Sequence, residues 1–445
     1  MKGLYIHIPF CVRKCSYCDF YSLPGRTDTI ASYVQAVLLE AHAYSPSFLR
    51  RDLKGELSST YAPFQTLYIG GGTPSLLGSQ NLTTLITSLT KSFPLPCHSE
   101  RSEESSSPNC HCVPSPEHAG SGFQPDRPNP IAQDESRQTS LLSKESLREN
   151  YFKVSSGGIL TESTIELNPE SATPEFLQTV KQLGFNRLSF GIQSLNDKEL
   201  QSVGRIHTAI QAIEAIKLAQ KLNFPSISAD LIIGLPGQTG TSLYKSLETL
   251  VAMGIQHLSV YCLSLETGTP LANNPPPDLP SDDMQAQLFE ETRTFLKSRG
   301  FTHYEISNFA LPGYECLHNL NYWRGGEYLG LGPAAASHLN GKRFKNRANL
   351  DAYLQNPSGQ IEDVEKLSPQ DKAAEEAMLR LRLLEEGLNT DELTAKFEPA
   401  NTAGIIRHLN KMVTEGLLIH QGSQYRLTPS RILTSNPIFA RVLNC

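Results

Sequence analysis

Short runs rich in β-branched residues alternate with longer amphipathic stretches, and no other feature of this chain constrains its fold as tightly. The runs are Leu4–Ile8, Thr66–Ile69, Thr164–Leu167, Arg187–Gly191, Ile227–Ile233 and His257–Tyr261. The stretches with helical period are Ile30–Ala43, Gln80–Lys91, Pro174–Leu183, Thr208–Leu222 and Ser242–Met253. Repeated βα units of this kind build a parallel sheet. Six of them predict an α/β fold, an open partial (β/α)6 barrel, with its chemistry at the carboxyl ends of the strands.

The barrel is expected over residues 1–270 of the 445-residue chain, interrupted at 94–157. That interruption is crowded with Ser and Pro and holds no sustained apolar period, so it cannot bury enough apolar surface to offset its ordering entropy. It reads as a disordered insertion; its Cys97, Cys110, His111, Cys112 and His118 have the composition of a metal tract, but nothing around them fixes a geometry, and they are expected to be untethered loop residues. The Pro-rich run Asn273–Pro280 opens a crossing segment over 271–365, including an irregular Gly/Asn/aromatic stretch from Tyr304 to Asn340. Residues 366–445 read as a small winged-helix-like helical domain: Asp371–Leu384, Thr390–Lys396 and Ala403–Glu415, then a hairpin Leu417–Leu427 turning at Gly422. Across Asp371–Leu427 there are 7 Lys plus Arg against 9 Asp plus Glu, and the whole chain has 39 against 45. Neither balance suits phosphate-backbone binding, so no nucleic-acid partner is expected.

The loop after the first strand carries Cys11, Cys15 and Cys18 in the order CxxxCxxC. Three thiolates at that spacing suit three irons of a [4Fe-4S] cluster and leave the fourth open to a small ligand. Zinc would favour two separated CxxC-type pairs, and no second pair follows at ribbon spacing. Arg13 and Lys14 favour thiolates, while Tyr17 and Phe20 are placed to shield a cluster from water. Nine cysteines, unevenly placed, do not form a disulfide framework. The first strand starts almost at Met1, which leaves no room for a targeting peptide, and no apolar run reaches the ~18–20 residues of a membrane span. A cytoplasmic location is expected.

The second strand runs into Gly70-Gly-Gly-Thr-Pro-Ser75, where the missing Cβ atoms allow close approach and free N–H groups are expected to meet a carboxylate. Further along come Glu166-Leu-Asn-Pro169, Arg187-Leu-Ser-Phe-Gly-Ile-Gln-Ser194, Gly204-Arg-Ile-His207, Asp230-Leu-Ile-Ile-Gly-Leu-Pro-Gly-Gln238 and His318-Asn-Leu-Asn-Tyr-Trp323. With Tyr5-Ile-His-Ile-Pro-Phe-Cys11, this ordered set resembles the oxygen-independent coproporphyrinogen III oxidase-like family of radical S-adenosylmethionine (SAM) proteins. It covers essentially the whole chain outside 94–157. The resemblance implies that Tyr5, Tyr17, Gly71, Gly72, Thr73, Glu166, Gln193, Arg205 and Asp230 line SAM, with Cys11, Cys15 and Cys18 holding the cluster.

Two positions separate the family's branches. The oxidases carry a further cysteine, CxxxCxxCxC, where this chain has Phe20. Phe there, and the HNxxYW run at 318–323, resemble the heme chaperone branch. The resemblance implies binding of heme and its transfer to acceptor hemoproteins, such as those of the respiratory chain. His318 then stands as a candidate axial ligand, and Tyr322 or Trp323 as stacking partners. The alternative is the oxidase activity itself, radical oxidative decarboxylation of coproporphyrinogen III. A flavodoxin or ferredoxin as reductant, and peripheral association with a membrane, are compatible with either. One segment departs from the family: the usual Gly-Pro-Gly-Ala-His-Ser is here Gly332-Pro-Ala-Ala-Ala-Ser337, so Ala336 replaces a histidine unless His338 takes its place.

Overall fold

The computed structural model describes residues 1–45, 64–93 and 160–444. The expected insertion at 94–157 lies outside the described residues. All six expected strands form: β1 (Lys2–Ile8), β2 (Thr66–Gly71), β3 (Glu162–Leu167), β4 (Arg187–Gln193), β5 (Ser226–Ile233) and β6 (His257–Cys262). They lie side by side in chain order and all run parallel. The crossovers hold α1 (Ile30–Ala43), α2 (Gly78–Ser92), α3 (Pro174–Gln182), α4 (Ala209–Lys221) and α5 (Gly240–Ala252). This is the partial barrel of parallel βα units that the sequence predicts.

The strand sequences place the site by simple alternation, since successive side chains point to opposite faces. Ile6, Ile69, Ile165, Leu188 and Leu231 bury against Val34, Leu82, Leu177, Ile216 and Leu247 of the helices. The intervening residues share the other face and bond to one another there: Tyr68 to Glu166 at 2.6 Å, and Ser189 to Asp230 at 3.3 Å. Capping fixes where the helices begin. Thr208 and Thr239 each close a capping box with the residue three positions on, stabilising the starts of α4 and α5.

The stretch Tyr304 to Asn340, expected to be irregular, carries short strands and a short helix between its turns. It contains β7 (Thr302–Glu305), β8 (Asn308–Ala310), β9 (Glu327–Leu331) and β10 (Ala336–Leu339), followed by β11 (Lys342–Asn346) and β12 (Ile361–Lys366). These extend the barrel sheet at both ends, in the order β12-β11-β10-β9-β1-β2-β3-β4-β5-β6-β8-β7. β9 lies parallel to β1, from Lys2 opposite Glu327 to Ile6 opposite Leu331, as a seventh parallel strand. A buried carboxylate ties this edge to α1: Glu40 accepts from Gly332 N at 2.9 Å and Asn346 Nδ2 at 2.6 Å, and also from the Tyr353 hydroxyl.

Residues 369–443 form helices Pro369–Arg380, Thr390–Lys396, Pro399–Thr414 and Asn436–Leu443 around a hairpin, Leu418–Gln421 with Gln424–Leu427. They have their own core of Leu381, Leu393, Ile405, Leu409 and Tyr425. The hairpin turns at Gly422, with φ 63°, as expected; the last helix was not anticipated. Arg382 stacks its guanidinium 4.5 Å over the Trp323 ring and joins this module to the barrel.

Candidate functional site

The cysteine loop is clamped before any ligand is considered. Phe10–Cys11 pairs with Leu23–Pro24, Ser16 N donates to Val203 O at 3.1 Å, and Leu271 N donates to Ser16 O at 2.9 Å. Tyr17 packs into a small apolar cluster with Val203, Ile232, Leu235 and Leu263. Cys15 is buried while Cys11 and Cys18 are half-buried. Burial pushes the Cys18 thiol above its ordinary pKa, and the neighbouring Cys15 and Cys11 push the same way.

The glycine turn lies directly against this loop. Gly72 N donates to Ile8 O and Thr73 N to Phe10 O, each at 2.7 Å, and Gly71 N donates to Glu166 Oε2 at 3.0 Å. The expectation of free N–H groups for a carboxylate is therefore corrected at Gly71, Gly72 and Thr73. Those donors weld the turn to the strand ends. The absent Cβ atoms serve close packing: one on Gly70 would meet the Glu166 carboxylate at 2.8 Å, and one on Gly72 would meet Phe10 O at 2.2 Å.

A cavity of 400 Å³ opens at the carboxyl ends of the strands. Its walls bring together Cys11, Cys15, Cys18, Tyr17, Gly71, Gly72, Glu166, Gln193, Arg205 and Asp230. Thr73 stands behind the wall, its hydroxyl 3.6 Å from Cys11 Sγ. Arg205 reaches from the far segment to within 3.7 Å of Cys15 Sγ and donates to Asn168 Oδ1 at 2.9 Å. Asn168 in turn donates to Thr73 at 3.1 Å. Asn168 was missed by sequence reasoning although it lies inside the quoted Glu166-Leu-Asn-Pro169 run. Gln193 enters the cavity through a bulge between β4 and β5, with φ of 67°, a left-handed conformation uncommon for a non-glycine and concentrated at functional sites. Burial raises Glu166 to about 7 and Asp230 to about 6. Two sequestered carboxyl groups thus line the cavity.

Among the described residues no three His, Cys, Asp or Glu side chains group as ligands of a single metal ion. The three thiols instead share a cavity wall with a guanidinium beside them. That donor set fits a multi-iron cluster, which takes thiolates on separate irons.

Tyr5 and His318 are not in this cavity. Tyr5 bonds His7 Nδ1 at 3.0 Å and lines a second cavity of 560 Å³, which shares only Asp19 and Phe20 with the first. His318 is 1% exposed, with Nδ1 2.8 Å from the Thr66 hydroxyl and Nε2 2.8 Å from the Tyr322 hydroxyl. Its ring stacks on Tyr68, and burial drives its pKa to about 3. Both ring nitrogens are engaged, so the expected role of His318 as an axial ligand does not fit its placement. It fixes the short helix α6 (Leu317–Trp323), whose first N–H groups are capped by Glu162 at 2.9 and 3.0 Å.

The model of the radical SAM superfamily matches residues 132–250, and that of the HemN C-terminal domain matches 367–432. Heme chaperone HemW of Escherichia coli strain K12 is 30% identical over 86% of this chain and 83% of its own length. The chain belongs to the HemW family. HemW of Lactococcus lactis is 27% identical over 99% of this chain and 97% of its own length. Coproporphyrinogen III oxidase (HemN) from Escherichia coli, a radical SAM enzyme, superimposes with a TM-score of 0.72 over 100% of this chain and 89% of its own, at 19% identity, and so shares the fold. Among the described residues no helix is long and apolar enough to cross a membrane.

Proposed function

We infer that this protein binds heme and hands it to acceptor hemoproteins in the reducing cytoplasm, carrying a [4Fe-4S] cluster on Cys11, Cys15 and Cys18 with SAM beside it. The observation that carries the cofactor part is the convergence of the three cysteines with Gly71, Gly72, Glu166, Gln193, Arg205 and Asp230 on one 400 Å³ cavity. When bound, the cluster supplies a redox centre with one iron free of protein thiolate. Arg205 beside Cys15 offsets thiolate charge, Tyr17 excludes water on the apolar side, and Gly71 and Gly72 line the same cavity. Glu166 and Asp230 would bond the ribose hydroxyls of SAM. Membership of the HemW family, with Phe20 where the oxidases have a further cysteine, supports chaperone over oxidase.

The test is anaerobic reconstitution followed by parallel assays of heme binding and transfer and of coproporphyrinogen conversion. Heme retention and transfer without coproporphyrinogen turnover is the expected result; turnover without heme retention would overturn it. Cys15→Ala should abolish cluster loading, by iron and sulfide content, while Cys262→Ala, in the same cavity, should leave it intact. A full cluster in Cys15→Ala would refute the ligand assignment.

A further inference from the structure

The second cavity lies between β1, β10, β11 and the HNxxYW helix, and one side chain of its wall keeps a ring nitrogen without a partner. Its volume, 560 Å³, falls within the ~300–1,000 Å³ of cofactor sites. Tyr5, Tyr21, Tyr322, Trp323 and Tyr328 give it an aromatic lining suited to a large flat ligand.

That side chain is His338. Three histidines stand at or behind this cavity, and two have both nitrogens engaged: His7 between Tyr5 and the Tyr21 carbonyl, His318 between Thr66 and Tyr322. His338 differs. Its Nδ1 donates to Gly326 O at 3.3 Å, which fixes the tautomer and leaves the Nε2 lone pair with no protein partner. An imidazole held by Nδ1–H to a carbonyl with Nε2 open is the arrangement of a metal-ligating histidine. Burial lowers its pKa, which favours the neutral ligating form. His338 and Ala336 are two apart on β10, hence on one face, and both line the cavity.

A flat aromatic ligand that offers a Lewis-acidic metal at its centre answers the aromatic lining and the open His338 nitrogen together. We propose that the second cavity holds heme, with His338 Nε2 on the iron and Arg343, already paired to Glu375, facing a propionate. This rests on the heme-chaperone reading and adds the site and its ligand. The iron–histidine bond is distinct from ring stacking, and the two are separable by removing the metal.

The experiment titrates ferric heme and metal-free protoporphyrin IX into the reconstituted, cluster-loaded protein, following difference spectra and the ferric heme electron paramagnetic resonance signal. Cluster content is checked by iron and sulfide. His338→Ala should weaken heme binding on the order of 10- to 100-fold and change the heme spectrum, as loss of a metal ligand does. Its affinity for metal-free porphyrin should stay unchanged. The double variant Ala336→His/His338→Ala should recover heme affinity, because the imidazole returns to the same strand face. No heme binding by the wild type would refute the chaperone reading itself. Wild-type binding with an unchanged spectrum and affinity in His338→Ala would overturn only the ligand assignment. Equal loss of heme and metal-free porphyrin in His338→Ala would also overturn it, since that marks a role in shape rather than on iron.

Discussion

Gly72→Ala tests whether the glycine turn and the cysteine loop are one welded unit. The added Cβ would sit 2.2 Å from Phe10 O and 2.9 Å from Phe10 C. Ordinary non-bonded contact needs about 3.5 Å, so the two backbones must part by more than ~1 Å. Phe10 cannot move away: it is fully buried and meets Tyr33 edge-on at 5.2 Å. The bonds from Gly72 N to Ile8 O and from Thr73 N to Phe10 O, now 2.7 Å, would then stretch beyond the hydrogen-bonding range. Two backbone hydrogen bonds at ~1 kcal/mol each, plus ~1–3 kcal/mol for overpacking, give a destabilisation of about 3–5 kcal/mol. For a cooperative unit of this size that corresponds to a melting temperature lower by roughly 4–8 °C. Gly404→Ala is the control: it lies within the helix Pro399–Thr414, its Cβ meets nothing within 4 Å, and the gain in helix propensity should stabilise by ~0.5–1 kcal/mol. Differential scanning calorimetry of both variants, with iron, sulfide and SAM binding measured alongside, decides the matter. A Gly72→Ala protein melting with the wild type and retaining cluster and SAM would refute the reasoning.

Three further outcomes follow from the same structure. Ala334 sits at φ 66°, where the family pattern has glycine; Ala334→Gly should relieve left-handed strain and raise stability by about 0.5–1 kcal/mol, read as a higher melting temperature. Burial raises Glu40 from 4.5 to about 7, so the native state holds this proton more tightly and stability falls as pH climbs from ~4.5 through ~7, by up to ~3 kcal/mol. The stability difference between wild type and Glu40→Gln should therefore change across that window and level off above it; a flat difference would refute the shift. His318→Ala should destabilise by ~2–4 kcal/mol, through a cavity and unpaired Thr66 and Tyr322 hydroxyls, yet leave the heme spectrum of the folded protein unchanged.

The barrel was legible because its information is local. Each of its six strands carries its apolar set on alternate positions, and each helix its own stripe, so element type and face follow without knowledge of neighbours. The cluster cysteines were legible for the same reason, being spaced within one loop. β7 to β12 were not. They are three to six residues long, and Ile361–Lys366 is mostly exposed and shows no buried alternation. β9 acquires its place only by pairing with β1 across some three hundred residues of chain. Gln193 was named from its motif, but the bulge that aims it has no signature in Arg187–Ser194. The histidines make the distinction sharpest. A histidine on a short helix beside Asn, Tyr and Trp reads as a ligand, yet Gly3 and Thr66 leave a space in which His318 bonds through both nitrogens to its own protein. His338 falls in no motif, and its neighbour Ala336 reads as a loss. What gives it a chemical role is the Gly326 carbonyl, which takes one ring nitrogen and leaves the other open to the cavity's ligand, and that carbonyl is brought to it only by the pairing of β10 with β9.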